Sequence, residues 1–127
     1  MTQEQINKTI ARIILSTRRK RRKYSLYEVA LDITALKKAM GSMKEVSKVI
    51  GVSAGMLNRF LSVFKLPQPI IELVKKREID KIAMVLDLSK LKKDDALKLA
   101  ELVSSNQLST QDLRTIISYR KQYKDSS

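Results

Sequence analysis

Met43-Lys44-Glu45-Val46-Ser47-Lys48-Val49-Ile50-Gly51-Val52-Ser53-Ala54-Gly55-Met56-Leu57-Asn58-Arg59-Phe60 sets a short amphipathic segment, a glycine and a second amphipathic segment in immediate succession. Gly51 suits the positive φ needed where one helix must stop abruptly and the next must leave at an angle. Ser47 is small where two such helices would cross. Val46, Ile50, Val52, Leu57 and Phe60 supply an interior. The pattern predicts a helix-turn-helix over about residues 42–66.

The second segment carries the chemistry. Leu57, Phe60, Leu61 and Phe64 follow the i, i+3, i+4, i+7 rule and form one apolar stripe. Gly55, Asn58, Arg59 and Ser62 repeat that pattern two residues earlier, which at ~100° per residue puts them on the opposite face. With Ser53, the expected N-cap, they form the expected base-reading set: Ser53, Gly55, Asn58, Arg59 and Ser62. An asparagine amide can bond an adenine edge twice and a guanidinium can do the same for guanine, each worth about 1–3 kcal/mol of discrimination. Both residue types are common on solvated helix faces; their place in this unit selects the recognition role. Lys44 and Lys48 lie four apart on the preceding helix and are expected to contact phosphates.

Outward from this unit, local punctuation predicts further helices. Thr2 with Gln5, and Ser25 with Glu28, have the spacing of capping boxes; Ser42 with Glu45 repeats it before the first recognition segment. Gly41 closes the helix before it. Ser53 begins a helix expected to run to Pro67, and Pro69 suits the first turn of the next. Asp80, Asp94 and Ser109 are the expected starts of three more. No segment alternates with a two-residue period, so the expected fold is all-α, a compact domain of about 7–8 helices. Residues 1–24 are read as an N-terminal helix and basic arm, and residues 25–127 as the helical DNA-binding domain.

Charge points to a polyanion. The 127 residues carry 26 Lys plus Arg against 13 Asp plus Glu, a formal net charge of +13. Residues 1–65 hold 14 of the basic and four of the acidic side chains, so the field is directional. Six cations run consecutively: Arg18, Arg19, Lys20, Arg21, Arg22 and Lys23. Like charges in a row repel one another without an anion, and the run is expected to follow phosphates or enter a minor groove, as the arms of some DNA-binding domains do.

Absences narrow the alternatives. The chain has no Cys and no His, which removes the thiolate nucleophile, the usual general base and the usual transition-metal ligands. No phosphate-binding glycine loop occurs. An enzyme is not expected, and no cofactor, metal or small-molecule substrate is implied. The start is too polar for a secretory signal, and no apolar run approaches the ~18–20 residues of a membrane span. A cytoplasmic protein associated with nucleoid or replicon is expected, with no membrane partner.

From about residue 39 to residue 113 the chain resembles the helix-turn-helix domain of the ParB/KorB group of partition and regulatory proteins. Residues 43–64 carry the likeness first. Val63-Phe64-Lys65-Leu66-Pro67 then resembles the Leu-Leu-x-Leu-Pro run that closes the family's recognition helix. Ile70-Ile71-Glu72-Leu73-Val74, residues 79–88, and Leu108-Ser109-Thr110-Gln111-Asp112-Leu113 follow in the family's order. The family usually has Arg at the place of Ser62 and Gly at that of Arg77. Residues 1–38 carry no counterpart of its nucleotide-binding domain, with the Gly-Glu-Arg-Arg signature. The resemblance implies double-stranded DNA binding, in transcription regulation or in plasmid or chromosome partition. One recognition helix covers a half-site, so a homodimer is a further expectation, through residues 6–15 or 113–123. The competing expectation is a nucleoprotein that coats RNA or DNA without reading bases, and a third is a protein-interaction adaptor.

Overall fold

The computed structural model describes residues 1–18 and 22–122 of the chain. It is all-helical, with eight α-helices and one 3-10 turn among the described residues. They are α1 (Gln3–Arg18), α2 (Leu26–Met40), α3 (Met43–Ile50), α4 (Ala54–Leu61), the 3-10 turn Ser62–Lys65, α5 (Gln68–Lys75), α6 (Ile82–Ser89), α7 (Lys93–Ser104) and α8 (Thr110–Gln122).

Helix starts follow the local chemistry where the cap is complete. Thr2 and Gln5 exchange two bonds, Gln5 N–H to Thr2 Oγ1 at 3.1 Å and Thr2 N–H to Gln5 Oε1 at 2.8 Å. Ser25 and Glu28 do the same at 3.2 Å each, as do Ser109 and Asp112 at 3.1 Å each. Each exchange satisfies two backbone donors that a helix start would leave bare. Gly41 and Gly51 close α2 and α3 in the left-handed region, at φ 95° and 78°. Two expected starts differ. Lys81, not Asp80, precedes α6, because the Asp80 carboxylate is engaged elsewhere; Lys92 precedes α7, leaving Asp94 and Asp95 in its first turn. Acids there favour the helix dipole without capping it.

The core is organised around α2. Its Leu26, Val29, Ala30, Ile33 and Leu36 are buried, and α1, α3, α4, α5 and the 3-10 turn all pack on it. Helix α1 belongs to this core: Ile13 is fully buried, and Arg12 grips Asp32 of α2 with two bonds of 2.9 and 3.0 Å. A second layer is built from α6, which contacts the 3-10 turn, α7 and α8. Leu113 anchors α8 there, fully buried. Among the described residues no helix is long and apolar enough to cross a membrane.

Candidate nucleic-acid interface

Helices α3 and α4 are held at a defined angle by four local devices. Ser42 caps α3, its Oγ accepting from Glu45 N–H at 3.3 Å. Gly51, at φ 78° and ψ 24°, donates its N–H back to Ser47 O at 2.8 Å. Ser47 does more than leave room for the crossing: its hydroxyl donates to Val52 O at 2.6 Å, tying the helix to the turn. Ser53 then caps α4 by accepting from Met56 N–H at 3.2 Å. Leu57 and Phe60 lock α4 to the core, at 0% and 5% exposure.

The opposite side of α4 is open. Ser53, Gly55, Met56, Asn58 and Arg59 are exposed. Among the described residues neither Asn58 nor Arg59 has a hydrogen-bonding or ionic partner. Gly55 has open space around the position of a Cβ, the nearest heavy atom being Ser53 Oγ at 4.0 Å. Met56 was not singled out from the sequence, because methionine at such spacing reads as core; its 37% exposure beside Arg59 makes it part of this face.

Ser62 does not belong there. It is buried, with 7% exposure, and is withdrawn from the expected base-reading set. The α-helical turns of α4 end at Leu61, and Ser62–Lys65 tighten into a 3-10 turn. Three residues per turn rather than 3.6 shift the residues after Ser62 out of phase with α4. The turn is clasped between α2 and α6. The same change of phase expels Phe64 from the expected stripe: it is 41% exposed and meets Tyr27 edge-on at 5.9 Å.

Lys44 and Lys48 are exposed on α3, and Lys48 lies 3.6 Å from Glu45. Between exposed groups such a pair is weak and screened by salt, so it yields readily to a phosphate. Of the six-cation run, the Arg18 side chain and residues 19–21 fall outside the described part. Lys23 is exposed, its ammonium 5.8 Å from the centre of the Tyr24 ring.

Arg22 departs from the expectation of a phosphate-contacting arm. Its side chain is only 12% exposed and bonds Asp80 Oδ1 at 2.8 Å. It also donates to the Asp80 carbonyl and to Tyr24 O, the latter at 3.1 Å. Arg77 completes the cluster. It donates to Asp80 Oδ2 at 2.9 Å, to Arg22 O at 2.8 Å and to Lys23 O at 3.1 Å. Arg77 itself sits at φ 64°, where the C-terminal turn of α5 calls for a left-handed residue: Glu78 N–H bonds Leu73 O at 3.0 Å and Arg77 N–H bonds Val74 O at 3.0 Å. A side chain there costs about 1 kcal/mol relative to glycine. The guanidinium's bonds to two carbonyls and a carboxylate offset it. No sequence signal pairs residues 22 and 80, because the contact spans 58 positions.

Among the described residues no group of three or more His, Cys, Asp or Glu is placed to hold a metal ion. No family model, curated protein or solved structure matches this chain.

Proposed function

We propose that the chain is a sequence-specific binder of double-stranded DNA, with α3, the Gly51 turn and α4 acting as a helix-turn-helix whose α4 enters the major groove. The observation that carries it is that Asn58 and Arg59 are open, and without a partner among the described residues, on a capped helix whose other face is locked by Leu57 and Phe60. A rigid helix presenting side chains capable of bidentate hydrogen bonding is what base reading requires. Gly55 lets the backbone come close to the groove. The Ser53 hydroxyl, which accepts the cap bond from Met56 N–H, still has a proton to donate to a phosphate or base. Lys44, Lys48 and the cations near the end of α1 supply phosphate contacts, and the net charge of +13 draws the partners together. The resemblance to the ParB/KorB group supports a role in transcription regulation or partition, in the cytoplasm on nucleoid or replicon DNA, with a homodimer spanning two half-sites. Binding is the whole of this function; no catalytic step is assigned.

Selection of bound duplexes from random DNA at physiological salt tests the proposal. The wild type is expected to enrich a defined sequence. Arg59→Ala and Asn58→Ala are each expected to relax one base position, at about 1–3 kcal/mol per lost bidentate contact, with thermal stability almost unchanged. Enrichment of no sequence, or profiles identical to wild type in both variants, would favour a protein that coats the backbone.

Met56 extends the prediction. An exposed thioether at the edge of the reading face fits a thymine methyl group, the apolar feature of the major groove. Replacing thymidine by deoxyuridine at one position of the selected site is expected to weaken wild-type binding a few-fold and to leave Met56→Ala indifferent. Equal sensitivity of both proteins to the missing methyl removes Met56 from the specificity set.

A further inference from the structure

We propose that the outward side of α2, together with Phe64, is a docking surface for an acidic amphipathic helix of a partner protein. The inference goes beyond DNA binding and uses none of the residues assigned to base reading. Tyr27, Leu31, Thr34 and Lys38 follow one another at i, i+4, i+7 and i+11 on α2 and so share one side of it. Leu31 is 46% exposed and, four residues on from Tyr27, is its neighbour on the helix surface. Phe64 meets the Tyr27 ring from the 3-10 turn, so two exposed apolar side chains flank one aromatic ring. Single exposed apolar residues are ordinary; a contiguous set on a fixed frame marks an interaction site. The frame here is fixed. Tyr27 packs on the core, Lys75 Nζ sits 4.6 Å from its ring centre, and Glu72 holds Lys75 at 3.2 Å.

Charge at the border selects the partner. The acidic side chains beside these residues are engaged: Glu28 by the Ser25 N–H, Asp32 by Arg12, and Glu72 by Lys75 and Gln68. Lys38 and Lys65 are exposed and, among the described residues, without an ionic or hydrogen-bonding partner. An apolar centre with free cations at its edge is complementary to a helix with one apolar and one acidic side. A second copy fits poorly, since a twofold contact would set these lysines against their own kind. Nucleic-acid stacking needs successive open ring faces; here Lys75 already occupies the Tyr27 ring, and Leu31 is aliphatic.

The test is selection on the full chain from a displayed library of short helical peptides, with leucines at i, i+3, i+4 and i+7 and Glu, Gln, Lys or Ser elsewhere. Enriched peptides are expected to carry Glu well above its input share, and to bind less tightly as salt rises. Leu31→Ser and Phe64→Ser should each weaken the enriched peptides about tenfold, the usual cost of truncating a central apolar anchor. Lys38→Gln combined with Lys65→Gln should weaken them several-fold and flatten the salt dependence. Val49→Ser, at a comparably exposed apolar residue of α3, should change nothing. Each of these side chains is exposed, so melting temperatures should stay near wild type. No enrichment, enrichment without excess Glu, or equal binding by wild type and both serine variants overturns the proposal. Loss of binding in the serine variants that the lysine pair does not share overturns the acidic character of the partner. Oligothymidylate bound by wild type and released by Phe64→Ser, with the peptides unmoved, assigns the surface to single-stranded nucleic acid instead. None of these results bears on base reading by α4, which the Asn58 and Arg59 variants test on duplex DNA.

Discussion

Replacing Arg18, Arg19, Lys20, Arg21 and Lys23 together by glutamine, with Arg22 left paired to Asp80, is expected to lower affinity for duplex DNA by about two to three orders of magnitude near 0.1 M salt. Each phosphate contact contributes about 0.9 to the slope of log affinity against log salt. Loss of three or four contacts from the five cations therefore flattens the slope by about three. The loss should be equal on a selected site and on random duplex, because phosphates carry no sequence. The ratio of the two affinities is the control: it stays constant if the run touches only backbone, and it falls if the run also reads a groove. Electrophoretic or anisotropy titrations at three salt concentrations supply both numbers. An unchanged slope would mean that these cations are solvated surface, and the DNA contact would have to rest on Lys44, Lys48 and α4 alone.

Leu57→Ala is expected to destabilise the protein strongly. The side chain is fully buried, and α4 packs on both α2 and α3. Deleting three buried carbons in a position walled by separate helices leaves a cavity that cannot collapse freely, at a cost of about 2–5 kcal/mol. Urea unfolding should show a lower midpoint with the slope retained. Arg59→Ala, two residues on but facing solvent, should stay within about 0.5 kcal/mol of wild type. The pair separates docking from reading: the first variant loses α4 from its seat, the second loses only a donor. A cost for Leu57→Ala below about 1 kcal/mol would mean that α4 is held by something other than its apolar face.

Much of the fold was legible because helix ends are local events. The exchanges between Thr2 and Gln5, Ser25 and Glu28, and Ser109 and Asp112 need only residues three apart, so spacing alone locates them. The left-handed turns at Gly41 and Gly51 follow from the one residue that adopts them without strain. Two other left-handed closures, at Arg77 and Asn106, gave no such signal. The turn after α7 has the same bonding as that after α5, with Gln107 N–H reaching Leu102 O at 2.9 Å. Asparagine tolerates that conformation by itself; arginine does so here because distant carbonyls take up its guanidinium.

What the sequence determined by itself is the alternation of helix and stop, the apolar side of each helix, and the excess of positive charge, since all three depend on neighbours within a turn or two. Tertiary structure alone decided that Ser62 turns inward, that Phe64 turns outward, and that Arg22 belongs to Asp80 instead of to solvent. In each of these, surroundings from distant parts of the chain take part in the outcome: α2 and α6 around the 3-10 turn, and Asp80 for Arg22. A side chain's fate then depends on where two separately formed surfaces meet, and no periodicity along one strand of residues encodes that meeting.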